Sequence, residues 1–156
     1  MSSIRQQIAD YVLTTLTAAV LQGSGSTLTA GKVIELKHKA SILAVAAQKP
    51  ALHFALGDET ALEQEIDTQG CAMVCPLDLK IETKDYLDLP ATVEVIAAAV
   101  QDAIEADRTF GGLLSNALKY DGRQEFLTSA TAPDGGTVLN YRIQYRRQHG
   151  AASTSY

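Results

Sequence analysis

The sequence contains few of the residues that build disulfide frameworks, and no long apolar run. Two cysteines among 156 residues cannot form a disulfide scaffold. No run of consecutive apolar residues approaches the length of a transmembrane helix. The first residues, Met1 to Gln7, lack the basic start and unbroken apolar stretch of a secretory signal. These absences favour a protein that folds in a reducing cytoplasm and has no membrane partner.

Positive charge is also scarce. The chain has 13 Lys and Arg against 18 Asp and Glu, which gives a net charge of −5. We therefore expect no general attraction to nucleic acid and no sequence-specific nucleic-acid partner. A hydrophobic fraction of 46% over this length is typical of a soluble domain with its own core.

One glycine-containing segment has some likeness to a nucleotide-binding loop. In residues 25–32, five residues separate Gly25 from Gly31, and Lys32 follows. A phosphate loop has four residues between its glycines and a Ser or Thr after the lysine, where this chain has Val33. The segment also follows a predicted helix, whereas the motif follows a strand. A flexible connector is the better interpretation, and we predict no nucleotide cofactor.

Metal and catalytic motifs are weak as well. Cys71 and Cys75 form a C-x3-C pair, but no second close pair of Cys or His follows to complete a zinc site. We predict that both are reduced and at least partly buried, as small hydrophobic residues. The acidic residues 58–67 lack the spacing of a calcium loop. The histidines fall in three separate segments without a recognisable nucleophile: His38, His53 and His149. We predict no metal, no cofactor and no catalytic residues.

Two segments have the periodicity of amphipathic helices. Apolar residues recur at three- and four-residue spacing from Ile4 to about Leu21. A second such stripe begins after Pro90, where Asp88 could cap the helix, and it stops before Gly111. We predict that Gly111 and Gly112 form a structural turn into the next strand, and that at least one has positive φ.

Five segments are predicted as strands from alternation or apolar content. They are residues 33–37, 51–56 and 71–83, part of 113–127, and residues 139–147. On this pattern His53 points to the outer side of its strand, and Pro76 indicates an edge position or a bulge. The acidic residues 57–70 are predicted to form a loop. The apolar residues 40–47 fit either a helical turn or a buried loop.

This order of elements predicts an α+β fold, with a mixed, largely antiparallel sheet of about four to five strands packed by two helices. We expect a single domain over residues 1–147. Residues 148–156 have too little apolar mass to offset the entropy of ordering, which favours a flexible C-terminal tail.

Charged residues on the final strand and in the acidic segment are candidates for a subunit interface. Guanidinium groups suit carboxylate partners, although arginines on a strand often only keep a sheet soluble. Two of the arginines, Arg142 and Arg146, share one outward face. The predicted interface residues are Arg142, Arg146, Arg147, Asp58, Glu59 and Glu63.

Several segments, taken in order, resemble the tail terminator proteins of long-tailed bacteriophages. The resemblance spans most of residues 4–147 and lies in their succession, because each motif alone is loose. The segments are Ile4-Arg5-Gln6-Gln7-Ile8, Pro50-Ala51-Leu52-His53-Phe54-Ala55-Leu56-Gly57-Asp58-Glu59, Leu77-Asp78-Leu79-Lys80-Ile81, Asp107-Arg108-Thr109-Phe110-Gly111-Gly112-Leu113 and Tyr141-Arg142-Ile143-Gln144-Tyr145-Arg146.

The resemblance implies a structural protein of a phage or prophage, which forms a ring, commonly a hexamer, at the head-proximal end of the tail tube. Such a ring ends tube polymerisation and joins the tail to the head. The implied partners are other copies of the chain, the tail tube protein and the head–tail connector protein. The implied location is the virion tail, with assembly in the host bacterial cytoplasm. No catalytic residues come with the family.

Other functions stay open on the sequence alone. A head-closure connector or another tail-completion protein is the nearest alternative. A small cytoplasmic enzyme is possible, because one sequence cannot reveal a site assembled from distant residues. A monomeric adaptor domain is a third option, and one-to-one binding without self-assembly would mark it.

Overall fold

A computed structural model describes residues 3–22, 33–36, 51–66, 70–83, 90–127 and 135–148. Its helices are α1 (Ile4–Gln22) and α2 (Pro90–Glu105). Its strands are β1 (Val33–Leu36), β2 (Ala51–Leu56), β3 (Thr60–Ile66), β4 (Gly70–Thr83), β5 (Lys119–Leu127) and β6 (Gly135–Gln148). These elements confirm the predicted α+β class.

The described strands form one six-stranded sheet in the order β1-β2-β4-β6-β5, and β3 pairs with β4 beside the end of β2. Strand β1 runs parallel to β2, and every other pairing is antiparallel. The sheet is therefore mixed and largely antiparallel, as predicted. Its central ladder pairs β4 with β6 without interruption from Gly70↔Gln148 to Thr83↔Gly135.

Alternation along β4 and β6 separates the two faces of the sheet. Odd-numbered residues of both strands lie on the face that packs against the helices, which we call the core face. Even-numbered residues lie on the opposite side, the outer face. The core-face residues from Cys75 to Ile81 in β4 and from Leu139 to Tyr145 in β6 are almost completely buried. Both helices add their apolar stripes to the same cluster.

Helix α1 begins where the sequence predicts. The Ser3 hydroxyl accepts a hydrogen bond from the Gln6 backbone N–H at 3.0 Å, which caps one of the unpaired donors of the first turn. The Arg5 side chain donates to the backbone carbonyls of Leu56 and Gly57 at 2.9 and 2.7 Å. These two bonds attach the start of α1 to the end of β2.

The predicted loop over residues 57–70 is wrong in part, because residues 60–66 form β3. Thr60 pairs with Val74 and Ala61 with Met73, after which the register shifts before Ile66. Acidic residues have low strand propensity, and the polar composition of this segment concealed an edge strand.

Pro76 does not lie on an edge strand, since β4 is central. Its carbonyl accepts the Gly57 N–H at 2.8 Å, on the side of β2 and β3 rather than β6. The N and the C=O of a strand residue point to the same side, so the missing donor of Pro76 faces the β2–β3 connection. There β4 changes neighbour from β3 to β2. No donor to the β6 ladder is lost.

The junction between α2 and β5 is held by its own hydrogen bonds. The Asp107 carboxylate accepts from the Thr109 N–H and hydroxyl and from the Gly111 N–H, at 2.8 to 3.0 Å. Arg108 and Leu118 are joined twice, because the Leu118 N–H donates to the Arg108 carbonyl and the Arg108 guanidinium donates to the Leu118 carbonyl. These bonds fix the first turn of the loop and join its two ends.

Phe110 anchors this junction in the core. Its side chain is fully buried and stacks on Tyr11 of α1, with ring centroids 4.8 Å apart. Its φ of 52° is unusual for a bulky residue. Burial of the ring offsets that strain, since removing a buried Phe side chain costs roughly 3–5 kcal/mol.

Several predictions lie outside the described residues: those for residues 40–47, for Asp88 as a helix cap and for residues 149–156. Gln148, the expected first residue of the tail, belongs to β6. Neither of the described helices is long and apolar enough to span a bilayer.

We predict that Gly111→Val lowers the free energy of unfolding by about 1 kcal/mol or more. Gly111 and Gly112 have φ of 66° and 92°, where a β-branched side chain is strained even in open space. Chemical unfolding measures the effect. Gly111→Asn is the matched control, because Asn tolerates this conformation, and it should cost less. Equal tolerance of valine at both glycines would contradict the assigned turn.

Candidate functional site

The two outward arginines of β6 occupy the outer face of the sheet. Half of the Arg142 side chain is exposed, and its Nη2 lies 3.1 Å from the Asp121 carboxylate of β5. Arg146 is half-buried on the same face. The structure therefore brings both arginines to the outer face and also supplies Arg142 with a partner inside its own chain.

Two other residues of the predicted interface pair with each other. Arg147 Nη1 lies 3.8 Å from a Glu59 carboxylate oxygen, and the other Glu59 oxygen accepts a hydrogen bond from the Tyr145 hydroxyl. Burial, followed by the Glu59 carboxylate, raises the pKa of Tyr145. Glu59 thus ties the β2–β3 turn to the end of β6.

The remaining predicted acids lie on or beside β3. Asp58 is exposed at the turn, and within the described part of the chain no ion pair involves it. Glu63 lies within β3, but its side chain is outside the part that the structure describes. Sequence reasoning identified the acids of this region but could not show that Glu59 is engaged within the chain.

A groove of about 360 Å³ opens on the outer face beside Arg142. It lies between β3 and the loop that leads into β5, across the ends of β4 and β6. Its described lining carries two cations and no acidic side chain, and its main walls are Leu62, Val74, Asn116, Ala117, Lys119 and Arg142. The sequence offered no signal for this groove, because the lining comes from four separate segments.

A second concavity, of about 320 Å³, lies on the same face near the other end of the β4–β6 ladder. The Lys80 ammonium stands 4.7 Å from the centre of the Phe126 ring and 3.8 Å from a Glu82 carboxylate oxygen. Asp78, Gln124 and other residues complete its lining. Here Lys80 is already engaged by a ring and a carboxylate, which leaves this concavity less available to a charged partner than the groove.

His53 is on the outer side of its strand, as the alternation predicts, and it is buried there. It lies on the outer face opposite Lys80, only 1% exposed. Neither imidazole nitrogen has a hydrogen-bond partner among the described residues. Burial lowers the pKa of His53, an effect that the Glu82 carboxylate opposes and the Lys80 ammonium reinforces. The alternation of apolar and polar residues predicted which face of the sheet His53 occupies, but it could not predict that the side chain is buried on that face.

The described residues show no arrangement that would support a metal ion or an activated thiol. No group of three or more His, Cys, Asp and Glu side chains among them is placed to hold a metal. Cys71 and Cys75 are free thiols, half-buried and buried respectively. Burial raises the pKa of Cys75 to about 11, so little nucleophilic thiolate forms near neutral pH. The described ion pairs and side-chain hydrogen bonds instead join helices, strands and turns of the fold to one another.

Comparison with known proteins finds matches among solved structures. No family model matches the sequence, and no curated protein matches it. One similar solved structure is described as "Virion of native gene transfer agent (GTA) particle". The two chains are 18% identical, the match covers 92% of each, and the TM-score is 0.49. Similarity at this level does not show a shared function.

We predict that the free energy of unfolding falls as the pH is lowered from about 7 to about 5.5. The unfolded chain protonates His53 near its ordinary pKa of 6.5, whereas burial lowers the pKa of His53 in the folded chain, which therefore binds fewer protons in this range. The unfolded state then binds more protons, and stability decreases with acidification. His53→Leu should flatten this dependence in denaturant titrations, with His149→Gln as the control for loss of one histidine. An unchanged slope in His53→Leu would show that His53 does not carry the effect.

Proposed function

We propose that this chain is a tail terminator of a long-tailed bacteriophage or prophage. Copies assemble as a ring, commonly a hexamer in this family, at the head-proximal end of the tail tube. The ring ends tube polymerisation and joins the tail to the head. Its partners are other copies, the tail tube protein and the head–tail connector protein, and it resides in the virion tail after assembly in the host cytoplasm.

The junction after α2 is the observation that carries this proposal. Residues 107–113 resemble the family in sequence, and nearly every motif position meets a specific structural demand. Asp107 accepts three hydrogen bonds, Phe110 enters the core, and both glycines have positive φ. A segment with so many local constraints is harder to match by chance than a bare helix-to-glycine-to-strand pattern.

The outer face of the sheet also supports an assembly function. In the described part of the chain, both helices pack on the core face and leave the outer face without a helix. That face carries the groove beside Arg142 and the half-buried Arg146. A guanidinium has five donors, so the 3.1 Å contact with Asp121 leaves Arg142 able to bind a second carboxylate.

The pairs within the chain narrow the proposed interface. Glu59 and Arg147 form an ion pair with each other, which stabilises the β2–β3 turn. They are therefore weaker candidates for contacts with a partner. Arg142 is the strongest candidate, because half of its side chain is exposed and it borders the groove. Arg146 stays a candidate by its place on the outer face. Asp58 and Glu63 stay as candidate acids for contacts with other proteins of the tail.

We predict that Arg142→Glu combined with Arg146→Glu leaves the fold intact but weakens ring formation or attachment to the tail. Exposed ion pairs contribute about 0–1 kcal/mol each, so several repeated contacts are needed to orient a ring. Reversing two charges in every copy changes all of these contacts at once and should weaken assembly. Negative-stain images with tube protein, and complementation of a terminator-deficient phage, measure the two effects.

Two controls interpret that experiment. Asp121→Arg with Arg142→Glu restores the pair within the chain. If termination is lost in Arg142→Glu alone and fully recovered in this swapped pair, Arg142 acts only inside its subunit. Normal termination by the double reversal would place the contact elsewhere. If the wild-type protein neither self-associates at high concentration nor binds tubes, the tail-terminator proposal fails. Rings that bind a connector but not tubes would favour a head-closure protein.

A further inference from the structure

The exposed stripe of α2 is acidic and partly apolar. No Lys or Arg occurs in α2, and its buried residues, among them Val93 and Ile96, face the sheet. On the opposite side lie Val95, Ala98 and Asp102, spaced so that they share one exposed stripe. Val95 is 51% exposed, which is unusual for a large apolar side chain on a helix with so much apolar surface already buried. Such a stripe can present an apolar anchor beside a carboxylate.

The groove on the outer face has the complementary character. Leu62, Val74 and Ala117 supply apolar lining, and Lys119 and Arg142 supply positive charge. Its wall at Ala117 follows the junction, where a Ser115 N–H to Gln144 carbonyl bond of 2.9 Å holds the loop against β6. A wall already fixed in position loses little entropy when a partner binds.

The positions of the stripe and the groove suit a ring. The α2 stripe points away from the core face of the sheet, and the groove opens on the outer face, so the two surfaces lie on opposite sides of the subunit. A closed ring needs this heterologous arrangement, in which one patch meets a different patch on the next copy.

The acidic β2–β3 turn fits the same role less well. Gly57 bonds to Pro76, and Pro76 is paired directly with Arg142, so Asp58 lies beside the groove of its own subunit. If the acidic turn of one copy bound the groove of another, the reverse contact could form at the same time, because the two patches are adjacent. The result would be a closed two-fold dimer, which does not lead to a larger ring.

Resting on the proposed ring, we infer that the groove at Lys119 and Arg142 receives the Val95, Ala98 and Asp102 stripe of α2 from the next copy of the chain. Val95 and Ala98 meet the apolar walls, and Asp102 meets the two cations. The net charge of −5 makes other copies repel at long range, so such local complementarity must direct the contact.

Cysteine cross-linking tests the contact directly. Ala98→Cys and Ala117→Cys, both at exposed positions, are combined in a Cys71→Ser background, where only the buried Cys75 remains. With a short bis-maleimide and tube protein present, the double variant should give a ladder of covalent dimers, trimers and larger species. A mixture of the two single variants should give dimers only, and each single variant alone should give none.

A charge exchange gives an independent readout on the same assembly. Asp102→Arg and Arg142→Glu should each reduce the fraction of protein in rings severalfold, and together they should restore it. Asp10→Arg is the matched control, since it makes the same charge change on an exposed residue of α1. Melting temperatures verify that every variant is folded.

The outcomes separate this inference from the proposed function. Rings in electron micrographs without a cross-linked ladder, or rings unaffected by Asp102→Arg, would overturn the contact and leave the tail-terminator proposal standing. Dimers from Ala117→Cys alone would indicate a two-fold contact through the groove and also overturn it. Absence of rings and of tube binding in the wild type would overturn both.

Discussion

The β4–β6 ladder is the constraint on which the other features of this fold depend. It pairs fourteen residues of each strand in one register, from Gly70↔Gln148 to Thr83↔Gly135. Because side chains alternate along a strand, a slip of one residue would move the whole core-face set to the outer face. The same register holds Arg142 opposite Pro76, so the position of the groove follows from the pairing that buries the core.

A second constraint, the junction after α2, connects this ladder to the helices. Phe110 reaches α1 through Tyr11, while Leu118 is bonded twice to Arg108 immediately before β5 begins. Helix α2 is also tied to β5, because Arg123 forms an ion pair with Glu94 on the surface. That exposed pair contributes little free energy, on the order of 0–1 kcal/mol, whereas the buried ring contributes more. Orientation of α2 against the sheet therefore depends more on the junction and on the buried stripe of α2 than on this surface pair.

Hydrophobic periodicity predicted the helices and strands that bury the same side along their whole length. Helix α1 and strand β6 each bury one continuous side, so apolar spacing alone located them. Strand β3 was missed because it is an acidic edge strand, where backbone pairing rather than side-chain burial determines the structure. The burial of His53 was missed for a related reason, since alternation tells which face a residue occupies and not what covers it. The groove could not be predicted, because residues distant in sequence meet there only through strand order.

The ion pairs within the chain determine which charges are left for assembly. Glu59 and Arg147 are both predicted interface residues, yet each has the other as a partner. The buried Tyr145 side chain also donates a hydrogen bond to Glu59. Freeing Glu59 for a neighbour would leave the Tyr145 hydroxyl without its acceptor, at a cost of roughly 1–3 kcal/mol. A surface contact between exposed charges does not repay that loss. The proposed contact between subunits would therefore use charges that are accessible without breaking the fold, and on the outer face we propose Lys119 and Arg142, the cations that line the groove.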